Sequence, residues 1–385
     1  MAKRFRLGLN FSFDNKSNSG VVNYIYNLIA ALHALEDAEK PEIVLFYSAN
    51  APVDYLKSIG YRYIRYIPFA AYPSNVWLRK LNSLFLRVVG RDVFKEVRYF
   101  SKIDCLYPYF GFMDHAFAGF GNKVHWLVDF NNRAFPAHYE DQGESMRIFQ
   151  EKVCASRERV ILSSNALLDE MKAYHPGYAC RVTVLRFASS LGRLEEAEVA
   201  SVTQRYGLDG PYFMSPNQLW EHKNQGLVLD AIHLINQERP DLRFRVLFSG
   251  SLEVNRGKGL YIEKLRQKVR EYNLGSQVSF LGVLDRKEQL LLMKGSIALV
   301  QPSLYEGWST LVEEAKALNK FIVLSDLPVH REQIRVNVGF FNPHRAGELA
   351  AALIAQLENQ APVVPTRYDQ NVKEFGRDIV RALCG

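Results

Sequence analysis

The sequence predicts an α/β protein made of two doubly wound halves, each a parallel sheet with helices on its faces. Three observations predict it. The chain has 385 residues, too many for one ordinary domain and suited to two of about 150–200 residues. Short apolar runs of strand length alternate with helical patterns through most of the chain, as in parallel α/β architecture. The alternation then starts afresh near residue 211, after a polar, helix-prone join in LGRLEEAEVASVTQRYGLDG.

In the first half RLGLNFSF (6–13) reads as a strand, followed by the loop DNKSNSG and a helix. That helix places Val21, Ile25, Leu28, Ile29 and Leu32 on one face. EIVLFYS (42–48), KVHWLV (123–128) and RVILSS (159–164) read as further strands. Asn165 is placed to cap the helix ALLDEMKAYH, with Pro176 and Gly177 stopping it. In the second half PYFMSP is a strand and NQGLVLDAIHLINQE a helix. The strand FRVLFSG, a charged helix (260–272), the strand QVSFLG and the helix RKEQLLLMKG follow. The strand IALVQPS, the helix STLVEEAKAL and the strand FIVLS complete the series. No Gly/Ser linker separates the halves, so they are expected to face each other across a cleft. The expected division is 1–195 and 196–366, with a helix at 367–385 packing back on the first domain.

Composition bounds the class. A hydrophobic fraction of 48% with 23% charged residues is that of a soluble globular chain, and no apolar run reaches the roughly 18–20 residues of a bilayer span. The N-terminus reads as a first strand and not a signal peptide, so the expected place is the cytosol. Cys105, Cys154, Cys180 and Cys384 form no CxxC pair, which suggests neither a zinc site nor a redox pair. Residues 1–100 hold 14 Lys/Arg against 8 Asp/Glu, most of the chain's net +7. The excess gathers among aromatics in 61–69 and 76–100. Such a surface suits an anionic membrane, with a solvated helix face as the bland alternative and nucleic acid set aside. Trp77, Arg79, Lys80, Arg87 and Arg91 would make the contact, on the inner face of the cytoplasmic membrane.

Two strand-to-helix junctions of the second half carry the chemistry. In SLYEGWSTLVEEAKAL (303–318) a strand ends at Gln301–Pro302, and a helix starts at about Ser309. Strand ends that open helices are where doubly wound sheets bind ligands, and a helix N-terminus offers N–H groups to a phosphate. Glu306 and Glu314 flank that terminus, and a carboxylate can accept hydrogen bonds from vicinal hydroxyls. Read alone, the same residues could be a polar loop and a solvated Glu313–Glu314 pair. In SPNQLWEHKNQGLVLDAI (215–232), Lys223 stands near a helix start, where a cation would face a diphosphate. Read alone, it could be a surface lysine.

These residues resemble the retaining GT-B glycosyltransferases of the Glu-x7-Glu type (family 4-like), as found in bacterial surface-polysaccharide assembly. SLYEGWSTLVEEA matches the family's motif with Glu306 and Glu314, and SPNQLWEHKN its donor loop. FLGVLDRKEQLLLMKGSIALVQPSLYEG and VLSDLPVHREQI match the framework. The resemblance is strong over about 210–335 and weaker at 1–35 and 123–188. It implies the GT-B fold of two Rossmann-like domains, with a nucleotide-diphosphate sugar as donor and a glycan or lipid-linked acceptor. It implies that Lys223 binds the diphosphate, Glu314 the ribose and Glu306 the transferred sugar. The amides of Ser309, Thr310 and Leu311 would hold phosphate, Val283 and Leu284 would meet the base, and Gly20 would lie in the loop approaching phosphate and acceptor.

Two departures matter. The family's arginine five residues before the lysine is Gln218 here, which shifts work to His222 or Arg256. The family's His-Asp pair reads Val128-Asp129, leaving Asp129 the acceptor-side role and giving His125 a core or surface role. HWLVDFNNRAFPAHY resembles a sub-branch with an aromatic before a shared Asp-Phe. Catalytic work thus falls on Asp129 and Glu306. No Asp-x-Asp motif is present, so neither a metal nor any other cofactor is expected. A sugar-nucleotide epimerase of the same architecture, or a non-catalytic scaffold, is the alternative. Loss of either glutamate or the lysine would favour the scaffold, and all three are present.

Overall fold

The computed structural model describes residues 3–11, 19–48, 50–68, 77, 81, 84–85, 88–89, 103–110, 120–139, 143–252 and 258–384. The chain divides into two compact units. One comprises Met1–Arg133, Glu140–Ser190 and Asp369–Gly385, the other Ala134–Tyr139 and Leu191–Tyr368.

The first unit is a seven-stranded sheet of β1 (Arg6–Phe11), β2 (Glu42–Tyr47), β3 (Ile64–Pro68), β4 (Cys105–Tyr109), β5 (Lys123–Trp126), β6 (Arg159–Leu162) and β7 (Arg181–Val184). Its order is β3-β2-β1-β4-β5-β6-β7, with every pair parallel. Helices α1 (Ser19–His33), α2 (Val53–Lys57), α3 (Asn131–Ala134, as far as Arg133), α4 (Gly143–Ala155) and α5 (Asn165–Tyr174) belong to it. β1 is buried from Leu7 onward because parallel strands are covered on both faces: Leu7, Leu9 and Phe11 are fully buried, and so is the polar Asn10. Three details differ from expectation. β3 lies within the basic, aromatic run 61–69. Its hydrogen bonds to β2 make Ile64–Pro68 an edge strand and remove it from any free membrane-facing segment. Ser164, and not Asn165, caps α5: its side chain accepts from Leu167 N at 3.0 Å, which leaves Asn165 as the first helical residue. α1 starts at Ser19, so Gly20 lies in its first turn and not in the preceding loop.

The second unit opens with α6 (Glu196–Arg205). A six-stranded sheet follows, of β8 (Tyr212–Ser215), β9 (Arg245–Phe248), β10 (Val278–Phe280), β11 (Ala298–Gln301), β12 (Ile322–Ser325) and β13 (Val338–Phe341). Its helices are α7 (Gln225–Glu238), α8 (Lys258–Glu271), α9 (Arg286–Gly295), α10 (Thr310–Ala317), α11 (Pro328–Gln333) and α12 (Ala346–Glu358). The two-residue period of the strands sorts the core into two layers. Phe213, Val246, Phe248, Val300 and Val323 pack on one face with Val228, Ile232 and Leu353. Tyr212, Met214, Leu247, Leu299 and Leu324 pack on the other with Val202, Leu291 and Val312. The order β10-β9-β8-β11-β12-β13 reverses direction between β8 and β11, and that reversal is where such sheets bind nucleotides.

The last helix, α13 (Tyr368–Cys384), lies with the first unit from Asp369 onward. A Cβ on Gly376 would stand 2.5 Å from the Ala31 carbonyl oxygen, so only glycine admits this approach to α1. Tyr24 of α1 fills the space beside it. Its ring stacks on Trp126 at 4.0 Å, and its hydroxyl meets that of Tyr107 at 2.6 Å.

Candidate donor-binding site

At the reversal, the ends of β8 and β11 place the two expected chemical groups side by side. After β8 the chain runs through Gln218 into a single 3-10 turn, Glu221–Lys223. Lys223 closes that turn and does not begin α7. Asn224 stands between them in the left-handed conformation (φ 58°), which asparagine tolerates better than most residues. Its amide donates to the carbonyls of Pro302 at 3.1 Å and Pro343 at 2.9 Å, tying the turn to the end of β11. The neighbouring β9 end braces the same loop. Gly250 (φ +148°) lies where a Cβ would stand 2.6 Å from Asn217 O.

Held there, Lys223 Nζ donates to Glu306 Oε1 at 2.6 Å. Gln301 Nε2 at 2.6 Å and Ser303 Oγ at 2.7 Å donate to the same oxygen. Among the described residues Oε2 accepts nothing. Burial alone would push the Glu306 carboxyl up. The Lys223 charge, with the hydrogen bonds from Lys223 and Ser303, outweighs it and holds the carboxyl down at about 2. Because the folded value lies below the unfolded one, this stabilisation is present above about pH 4.5 and is lost as pH falls towards 2. Its lysine partner thus favours the anionic form of Glu306.

Glu314 repeats the arrangement eight residues on. Its side chain is 5% exposed, and its Oε1 accepts from Arg286 Nη2 at the start of α9. Between the carboxylates stands the N-terminus of α10. Ser309 caps it, its Oγ accepting from Val312 N at 3.2 Å and donating to Gln301 Oε1 at 2.7 Å. The Ser309 amide is not open to phosphate, because Gln333 Oε1 of α11 accepts it at 3.1 Å. Thr310 and Leu311 carry the first amides of α10, which the helix itself cannot use. Of the three amides expected to meet phosphate, that of Ser309 is thus already taken.

The remaining predicted residues separate. Val283 is 76% exposed on the loop before α9, while Leu284 packs partly into the core beneath it. His222 is buried, its ring near Trp220. Gln218 uses its carbonyl to accept from Gln225 Nε2 at 3.0 Å. Arg256 lies outside the described residues. Gly20 and Asp129 belong to the first unit. Gly20 is exposed, with nothing within 4 Å of a Cβ. Asp129, just beyond β5, is half-buried, and its Oδ1 accepts from Asn131 N at 3.0 Å to open α3. His125 is a core residue: it is buried, its Nε2 meets Glu158, and burial lowers its basicity.

Gln301, Ser303, Gln333, Arg286 and His330 were not legible as site residues. Gln301 left a signal, as the polar end of an otherwise apolar strand. His330 is fully buried, with Nδ1 2.7 Å from Ser325 O. A neutral ring then donates from Nδ1, leaving an acceptor at Nε2 with no partner among the described residues. Burial lowers its basicity and keeps it neutral beside Glu306 and Lys223.

Residues 203–377 match the family model described as glycosyl transferases group 1. The O-antigen chain mannosyltransferase RfbU of Salmonella typhimurium is 28% identical over 176 residues, 45% of this chain and 46% of that protein. The match thus spans about half the length of that relative. HepE of Anabaena, crystallised with UDP and glucose, superposes with a TM-score of 0.71 at 15% identity, covering 98% of each chain. Sucrose-phosphate synthase of Thermosynechococcus elongatus gives 0.65 at 17%, covering 99% of this chain and 95% of that one. At these identities the two structures establish a shared GT-B fold.

Proposed function

We propose, from a chain whose residues 203–377 match the glycosyl transferases group 1 model, that the protein transfers a sugar from a nucleotide-diphosphate sugar to a glycan or lipid-linked acceptor. The observation that carries this reading is the Lys223–Glu306 pair at the sheet reversal, beside the start of α10 and Glu314. The likeness of half the chain to an O-antigen chain mannosyltransferase supports a role in bacterial surface polysaccharide. A relative of this fold crystallised with UDP and glucose supports the class of donor.

The chemistry follows from charge. Breaking the bond from sugar to diphosphate builds negative charge on the leaving group and positive character on the anomeric carbon. Lys223 meets the diphosphate, with the Thr310 and Leu311 amides at the start of α10. As Lys223 turns to phosphate, Glu306 accepts a hydroxyl of the transferred sugar. Its negative charge also suits the positive character at that ring. Glu314 accepts the ribose hydroxyls, and Val283 lies against the base. The acceptor attacks from the face the leaving group departs, with retention and without a protein nucleophile. Asp129 orients the acceptor or takes its proton. The reaction uses no metal ion.

The acceptor side is proposed to work at an anionic membrane, placing the protein peripherally on the inner face of the cytoplasmic membrane. Among the described residues no helix is long and apolar enough to cross one. Trp77, Leu81, Leu84, Phe85 and Val88 are helical and exposed, at the spacing of one helical face. Arg79, Lys80, Arg87 and Arg91, interleaved or adjacent in sequence, lie outside the described residues. Their charge would add about 1 kcal/mol each at an anionic surface, screened by salt.

One experiment tests both parts. Nucleoside diphosphate release is followed over a panel of nucleotide sugars, with a lipid-linked glycan supplied in anionic or neutral vesicles at low and high salt. Release that needs the acceptor, and is faster on anionic vesicles at low salt, is expected. A sugar nucleotide isomerised without release would indicate an epimerase, and no turnover of any donor a scaffold. Equal rates on both vesicles would remove the membrane.

A further inference from the structure

We propose that Arg286 is a donor-positioning residue, holding Glu314 in the orientation that accepts the ribose hydroxyls; this rests on the donor-site reading above. Arg286 is the first residue of α9, directly after the cap Asp285, whose side chain accepts from Lys287 N and Glu288 N. A cation there opposes the helix dipole, which favours acidic groups at that end. Its location therefore calls for a tertiary reason, and Glu314 supplies one.

The Glu314 side chain is 5% exposed and that of Arg286 25% exposed. A lone carboxylate so buried would be costly, and a guanidinium is the cation best shaped to satisfy it while bonding elsewhere. Arg286 does bond elsewhere. Its Nη1 donates to Gln289 Oε1 at 3.0 Å, and Gln289 Nε2 donates to Ser249 Oγ at 3.2 Å. A continuous relay thus runs from the end of β9 through the first turn of α9 to Glu314 on α10. It fixes Arg286 by a partner on its own helix and by the neighbouring strand end.

The consequence is a division of the carboxylate. Arg286 takes Glu314 Oε1, while Oε2 accepts no hydrogen bond among the described residues. A ribose hydroxyl can approach that second oxygen without displacing the arginine. Glu306 is arranged alike, with its protein donors gathered on Oε1. For Lys223 the diphosphate competes as a partner. Arg286 sits at the ribose end, so its bond to Glu314 persists when donor binds.

The test is discrimination between ribose and 2′-deoxyribose, measured on the full chain by calorimetry with UDP, GDP and their 2′-deoxy forms. Wild type is expected to favour the ribo form by about tenfold or more, the worth of one charge-assisted hydrogen bond. Arg286→Gln should bring the two forms to near equality, and Arg286→Lys should restore part of the preference. Glu314→Ala should abolish it. If Arg286→Gln weakens both forms equally and keeps the wild-type ratio, the arginine acts only on stability and the proposal is wrong. The Lys variant decides the same question should the Gln variant fold poorly. A wild type that binds no nucleoside diphosphate, or a Glu314→Ala variant that keeps the ratio, overturns the donor-site reading itself and this inference with it.

Discussion

Replacing Lys223 by alanine is expected to lower turnover by about 10²–10³-fold, the usual effect of deleting one preorganised charge donor to a developing anion. Lys223→Arg should lose less, since it keeps the charge while changing its shape. The alanine variant should also be less stable. It removes the main counter-charge of Glu306, whose side chain is 9% exposed, and breaking a buried pair from one side costs roughly 3–5 kcal/mol. The two effects separate in a double variant. Adding Glu306→Gln to Lys223→Ala removes the stranded charge, so the melting temperature should recover while turnover stays low. Recovery of both would mean that the pair is structural. Wild-type turnover in both single lysine variants would remove Lys223 from the site.

Glu314→Ala should weaken nucleoside diphosphate binding by about 1.5–3 kcal/mol, the value of a hydrogen bond to a charged partner, or roughly 10- to 100-fold in Kd. The measurement is calorimetry with the full chain. The contrast with Lys223 is informative. Glu314 is proposed to hold the nucleotide in ground and transition states alike, so its loss should raise KM more than it lowers kcat. The lysine meets charge that grows during the reaction, so its loss should lower kcat. Unchanged affinity in the Glu314 variant would mean that the nucleotide binds elsewhere.

Much of this arrangement was legible because it rests on local patterns. The apolar run Ala298–Gln301, the loop after it and the helical period from Thr310 define a junction whatever surrounds them. What stayed hidden was tertiary. Arg286 and Glu314 are 28 residues apart, and nothing in DRKEQ announces which carboxylate its arginine meets. Gln333 belongs to a six-residue helix too short for periodicity to reveal, yet it occupies the Ser309 amide that a motif would assign to phosphate. β4 was missed because CLYPY contains a proline, which reads against a strand, although the segment is the buried neighbour of β1. β3 was masked by its own composition. Arg65 and Tyr66 look like surface, and at a sheet edge Arg65 is surface, paired with Glu42 of the adjacent strand.

The most direct test of the central claim is a crystal structure with a nucleoside diphosphate bound. The account predicts the diphosphate at the start of α10, within hydrogen-bonding distance of the Thr310 and Leu311 amides. Lys223 Nζ should have moved from Glu306 to a phosphate oxygen, and a ribose hydroxyl should lie on Glu314. A nucleotide bound anywhere else, or one bound with Lys223 still on Glu306 and its phosphates away from α10, would contradict it.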